Sequence, residues 1–157
     1  MPLMDKISYP VTGSCRCGQT KIELNAPPVL TAACHCRGCQ KMSASAFSLT
    51  AMCKSESFRV TSGSPVKGGA KGPELDHYFC PECKTWMFTR ITGMDAFVNV
   101  RPTMFDQQSP VAPYIETMTA EKLPWVNIPV QHSFTGFPPV ADFMSLLDSF
   151  KQSQDQA

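Results

Sequence analysis

Cys34-His35-Cys36-Arg37-Gly38-Cys39 carries three of the chain's eight cysteines within six residues, directly after the apolar run Val29 to Ala33. Thiols one or two residues apart can aim their sulfurs at one point, as a tetrahedral metal about 2.3 Å from each sulfur requires. Outward from this stretch, Cys15-Arg16-Cys17 lies before it and Cys80-Pro81-Glu82-Cys83 after it. Seven of the eight cysteines thus form three tight groups, while Cys53 stands alone among apolar neighbours and reads as a packed core thiol. Four sulfurs from the outer groups would close one zinc site. Three from the middle group would leave a second site with a vacant position, the property that separates a reactive zinc from a structural one. Spacing also permits a local ribbon of Cys15, Cys17, Cys36 and Cys39, which would leave Cys53, Cys80 and Cys83 with His77.

A disulfide framework is the competing use of so many cysteines, and it needs an oxidising compartment. The first ten residues contain no basic region followed by an apolar run, so they do not read as a secretory signal. Cysteines separated by a single residue also rarely have the Cα spacing and Cβ directions that a mutual disulfide needs. Zinc is therefore the expected cofactor, as two ions, and the expected location is cytoplasmic.

Composition narrows the function class. A length of 157 residues suits one domain, 1–157, with a substantial core of its own. Fourteen Lys and Arg against thirteen Asp and Glu leave a formal charge of +1, with no basic stripe, so no nucleic-acid partner is expected. No apolar run is long enough to span a bilayer, so no membrane partner is expected either. Fourteen prolines, about 9% against a usual ~5%, disfavour long helices and favour short strands joined by turns.

Period-two alternation places a strand on Thr20, Ile22 and Leu24. Further strands are expected at Val29–Ala33, Phe47–Cys53, Phe58–Thr61, Asp76–Phe79, Trp86–Ile91, Ala96–Val100 and Tyr114–Met118. Ser62 to Pro65 carries turn chemistry, and glycine-rich Lys67 to Pro73 reads as a flexible hairpin or loop. A short helix is expected over Arg37 to Met42. A C-terminal helical extension, about 138–152, is expected to pack Val140, Phe143, Met144, Leu147 and Phe150 on the sheet. The polar tail from Gln152 to Ala157 is expected to fray. Trp86 and Trp125 read as core aromatics.

Four motifs now stand in order: Gly13-Ser14-Cys15-Arg16-Cys17-Gly18, then Cys34 to Cys39, then Ser45-Ala46-Phe47, then Phe79-Cys80-Pro81-Glu82-Cys83. Together with Pro124-Trp125 they resemble the glutathione-dependent formaldehyde-activating enzyme family, which includes centromere protein V, over residues of about 13–130. The resemblance implies a zinc-bound β-tent of antiparallel sheets. It implies a structural zinc on Cys15, Cys17, Cys80 and Cys83 and a reactive zinc on Cys34, Cys36 and Cys39, which favours the outer pairing over the local ribbon. Three positions depart from the family pattern: Lys84 replaces a glycine, Ala44 replaces the glycine of Ser-Gly-Ser, and His77 stands where arginine is common. Lys84 would carry about 1–2 kcal/mol of strain if its backbone must be left-handed.

Zinc on three thiolates is a weaker Lewis acid than zinc on three histidines, hence a poor generator of hydroxide. Its open position suits a soft incoming thiol, held as the thiolate that attacks carbonyl carbon. The expected function is thus a carbon–sulfur lyase that reversibly adds a thiol such as glutathione to a small aldehyde, formaldehyde in the family's case. Cys34, Cys36, Cys39 and His35 are the candidate catalytic residues, with His35 either relaying a proton or bracing the loop. Ser43 and Ser45 could meet substrate oxygen or cap the helix, and Arg37 and Lys41 could meet a carboxylate or simply be solvated. The alternative is a non-catalytic zinc scaffold that binds a protein partner.

Overall fold

The computed structural model describes residues 7–69, 74–106 and 112–156. Among the described residues are two sheets and two α-helices, and the structure is mainly β with a C-terminal helix. The smaller sheet has the order β1 (Val11–Ser14), β2 (Lys21–Leu24), β5 (Phe58–Ser62) and is antiparallel throughout. The larger one contains β3 (Leu30–Cys34), β4 (Ser48–Lys54), β6 (Val66–Gly68), β7 (Leu75–Phe79), β8 (Trp86–Ile91), β9 (Phe97–Val100), β10 (Ile115–Thr117) and β11 (His132–Ser133). Its order is β11-β10-β3-β4-β9-β8-β7-β6.

The expectation of wholly antiparallel sheets is corrected at one edge. Strand β10 runs parallel to β3, with Thr117 opposite Cys34, and β11 runs parallel to β10. A parallel neighbour needs a long return path. The chain supplies one, because β4 through β9 lie between β3 and β10 in sequence.

Alternation sends the two faces of the larger sheet to different partners. Ala51, Cys53, Val98, Val100 and Phe88 pack with Val11, Ile22, Leu24 and Phe58 of the smaller sheet, together with Met104 and Phe105. Leu30, Met52 and Ile115 pack instead with Leu146 and Phe150 of α2 (Phe143–Asp155). Cys53 is fully buried, as expected of a core thiol, and burial pushes it up to about 12.

The C-terminal helix differs from its expectation in register and length. Its buried stripe is Leu146 and Phe150, while Val140 and Met144 are exposed. Val140 belongs to a one-turn 3-10 helix (Val140–Asp142) ahead of α2, so counting 3.6-residue turns from it misplaces the face. The helix also runs to Asp155, three residues past the expected end near 152. Three short strands escaped the sequence reading: β1, β6 and β11. Val66 to Gly68, partly assigned to a flexible loop, pairs with β7, and residues 70–73 of that loop lie outside the described residues. Trp125 is corrected from core to surface, being 75% exposed.

Candidate metal centres and their surroundings

Two turns of the same design face each other across the sheets. After β1, Cys15 N–H bonds to Thr20 O and Gly18 N–H returns to Cys15 O at 3.0 Å. After β7, Cys80 N–H bonds to Thr85 O and Lys84 N–H returns to Cys80 O at 3.1 Å. Gly18 takes φ +81°, open to glycine, and Lys84 takes φ +59° in the equivalent place, so the condition under which the sequence reading assigned it strain is met. The Arg16 N–H donates to Thr85 Oγ1 at 3.1 Å and stitches one turn to the other.

This pairing gathers Cys15, Cys17, Cys80 and Cys83 so that all four sulfurs lie within 4.8 Å of one another. Cys15 and Cys17 sulfurs are 3.5 Å apart and those of Cys17 and Cys80 are 3.8 Å apart. A tetrahedron with about 2.3 Å metal–sulfur bonds has edges of about 3.8 Å, so the quartet fits a zinc-sized ion. The Thr20 N–H points at Cys15 Sγ and the Thr85 hydroxyl lies 3.1 Å from Cys83 Sγ. That hydroxyl contact is the main cause pulling the Cys83 thiol down to about 5. The local ribbon mixing Cys15 and Cys17 with Cys36 and Cys39 is not what the fold brings together.

Cys34, Cys36 and Cys39 form the second cluster, also within 4.8 Å of one another. Cys34 ends β3, Cys36 is the N-cap of α1 (Arg37–Ser43), and Cys39 lies in its first turns. The Cys39 N–H donates to Cys36 Sγ at 3.3 Å, so the cap that starts the helix also orients a ligand. A hydrogen bond from Cys39 outweighs burial and, helped by the Cys36 N–H and the Thr117 hydroxyl, draws the Cys34 thiol down to about 5. Cys39 is pushed up in turn, first by its bond to Cys34 and then by burial. The cluster therefore readily carries a thiolate. Among the described residues no fourth Cys, His, Asp or Glu joins this triad.

His35 does not face open space. Its side chain is fully buried, and Nε2–H donates to Glu116 Oε2 at 2.8 Å. Glu116 also accepts from Lys122 Nζ at 3.1 Å and from Ser133 Oγ at 2.7 Å. Burial works against the Glu116 carboxylate, yet the bonds from Ser133, Lys122 and His35 hold it below the usual carboxylate range. The backbone of the loop is pinned as well. His35 N–H reaches Thr117 O, and the Gln40 amide donates to His35 O at 2.8 Å. His35 thus pegs the segment between two cysteines, the bracing arrangement that the sequence reading set beside a proton relay.

A cleft of about 330 Å³ lies next to neighbours of the triad: Ser43, which bonds to Cys39 O, and Ser48, the register partner of Cys34, line it together with Ser45, Phe47, Trp86 and Arg101 among others. Ser43 Oγ donates to Cys39 O at 2.7 Å, so it serves the helix end, while Ser45 is exposed. Arg101 is 9% exposed, donates to Leu49 O at 2.9 Å, and sets its guanidinium 3.9 Å from the Trp86 ring centroid. Burial lowers Arg101 to about 10, opposed by the charges of Cys39 and Cys34, so it stays cationic at neutral pH. Trp86 is thereby corrected from a core aromatic to a cleft wall. His77 lies beside it, with Nδ1 2.8 Å from Thr89 Oγ1, and burial followed by the Arg101 charge lowers its affinity for a proton. Arg37 and Lys41 are exposed.

Glu116, Arg101 and Thr117 were not singled out from sequence. A lone carboxylate inside Tyr114-Ile115-Glu116-Thr117-Met118 was the available signal, as was an arginine completing the alternation of Phe97 to Val100.

The fold and these clusters define a mainly β protein with two thiol groups of metal-binding geometry, one of four sulfurs and one of three. The chain belongs to the glutathione-dependent formaldehyde-activating enzyme family, whose pattern it matches over residues 10–121. Its fold is similar to that of a Rhodobacter sphaeroides protein of known crystal structure, at 17% sequence identity and a TM-score of 0.50. That likeness covers 78% of this chain and 98% of the other. No curated protein matches the chain. No helix among the described residues is long and apolar enough to cross a membrane.

Proposed function

We propose that the protein is a zinc-dependent carbon–sulfur lyase that reversibly adds a thiol, glutathione by the family's description, to a small aldehyde. The observation that carries this reading is the triad, three sulfurs within 4.8 Å with no fourth ligand side chain among the described residues, set beside a cleft. Cys15, Cys17, Cys80 and Cys83 would hold a structural zinc that ties β1 of the smaller sheet to the β7–β8 turn of the larger. That tie is what we take the ridge of a β-tent to be. Cys34, Cys36 and Cys39 would hold the reactive zinc. Bound there, zinc supplies an open position for a soft ligand and favours a thiol in its thiolate form.

The chain's own residues do the rest. Arg101 places a buried positive charge beside a thiolate-rich centre and offers it to an anionic group in the cleft. Ser45 and Thr103 line that cleft and can hydrogen-bond the polar parts of the thiol, while Met42 and Phe47 keep its wall dry. His35 is a positioning residue, acting through Cys34 and Cys36. In the addition, the sulfur lone pair forms the carbon–sulfur bond, and the carbonyl π pair moves to oxygen, which gains the proton given up by the thiol. The reverse step breaks the carbon–sulfur bond, which makes the enzyme a lyase. Eight cysteines without a disulfide suit a reducing compartment such as the cytoplasm.

The test is a zinc count followed by adduct formation from formaldehyde and glutathione. Two zincs per chain and a rate above the spontaneous reaction are expected. Two zincs with no acceleration, for glutathione or any other thiol, would favour the scaffold reading.

A further inference from the structure

A second concavity, a groove of about 380 Å³, runs along the α2 face of the larger sheet and reaches the triad. Its floor crosses neighbouring strands in register: Ile115 opposite Ala32, Ala32 opposite Thr50, and Met52 opposite both Leu30 and Asn99. At the C-terminal end of this floor stand Cys34 and its register partner Thr117, both lining the groove. Ile91 and Met94 add apolar surface at the β8–β9 turn. Phe137, Pro138, Val140 and Phe143 add more, from the segment leading into α2.

Three features bear on what fits. No charged side chain lines the groove. A tripeptide thiol with its carboxylates would lose hydration there without a compensating partner, whereas the cleft beyond the triad offers Arg101 and hydroxyls. The groove is also far too large for formaldehyde, having room for roughly a dozen non-hydrogen atoms at about 30 Å³ each. Finally, Phe137, Pro138, Val140 and Phe143 lie beyond residues 10–121, so this apolar lining is added to the part of the chain that carries the family pattern.

We propose that the groove holds the hydrocarbon chain of the carbonyl substrate, so that the protein acts on apolar aldehydes of about six to ten carbons. The chemistry rests on the lyase reading above; the binding does not. The aldehyde lies with its carbonyl carbon at the Cys34 end and its chain toward Leu30 and Met52. A thiol from the cleft side bonds to that carbon, its proton ends on the former carbonyl oxygen, and the product is a hydroxyalkyl thioether. No oxidant or reductant takes part.

Two measurements on the zinc-loaded full chain test this. The first is calorimetric titration with 1-butanol, 1-hexanol and 1-octanol, which carry the chain but cannot react. Affinity should rise about twofold to fourfold per methylene, as burial of each group dictates. The second is adduct formation with glutathione from formaldehyde, butanal and octanal, where kcat/KM should rise with chain length. Ala32→Phe, which fills the floor, should cut octanol affinity at least tenfold and reverse the preference for octanal. Phe137→Ser, at a site 70% exposed and thus safe for folding, should weaken octanol severalfold. Cys36→Ser should keep octanol binding and lose the reaction. Accelerated formaldehyde addition with no dependence on chain length, in binding or in rate, would overturn the groove proposal alone. Chain-dependent alcohol binding without acceleration for any aldehyde would overturn the lyase reading and the aldehyde with it.

Discussion

The quartet and the triad use the same donor atom at the same one- or two-residue spacing, yet the protein holds them in opposite ways. The quartet is made of two rigid turns, each closed by its own backbone hydrogen bonds and stitched to the other, and its four sulfurs satisfy each other's geometry. The triad sits where a strand becomes a helix, with a cleft and a groove touching its residues or their neighbours, and its support comes from behind, through His35 and Glu116. A site sealed by its own ligands can stabilise a fold. One that ends three donors at a concavity can take an outside ligand.

The largest effect should come from breaking the quartet. Cys80→Ser should abolish cooperative unfolding, because a structural zinc held by the quartet as proposed would contribute about 10–16 kcal/mol, as much as or more than a domain's whole stability. Cys36→Ser should leave Tm within a few degrees while lowering the zinc count from two to one and adduct formation to the spontaneous rate. Equal losses of Tm in the two variants would erase the distinction. Truncating the brace comes next. Glu116→Ala strands buried His35 and should cost about 3 kcal/mol in urea titration.

The same brace sets an acid limit. Glu116 has a folded affinity for protons below its unfolded one, so its contribution is complete above the ordinary carboxylate range and is lost as pH falls through its lowered value. Glu116→Gln should therefore flatten the acid limb of the stability curve and leave the neutral region with a smaller, pH-independent loss. At the small end, Lys84→Gly should relieve the left-handed backbone of the quartet and gain about 1 kcal/mol, less the entropy glycine adds to the unfolded chain.

The quartet and triad were legible in the sequence because each half-motif is local: Cys15-Arg16-Cys17 and Cys80-Pro81-Glu82-Cys83 declare a turn in four residues or fewer. Strand β2 was legible from alternation, and β3 and β4 from short apolar runs, for the same reason. What stayed hidden is what depends on meeting a distant segment. Glu116 matters because β10 lies parallel to β3, a pairing no local pattern encodes. Arg101 matters because Trp86, on another strand, lies under its guanidinium. The C-terminal helix was legible as a helix, but its buried face was not, since a 3-10 turn before Phe143 shifts the count.

The parallel pairing of β10 with β3 also sets an order of assembly. The triad's sulfurs sit within six residues and can find one another in a nascent chain, whereas the quartet must close a loop of 63 residues between Cys17 and Cys80. The carboxylate behind His35 arrives later still, 81 residues after it. During synthesis the triad's three thiols are thus complete by Cys39 but braced only once Glu116 has been made, and about half of the chain is synthesised in between.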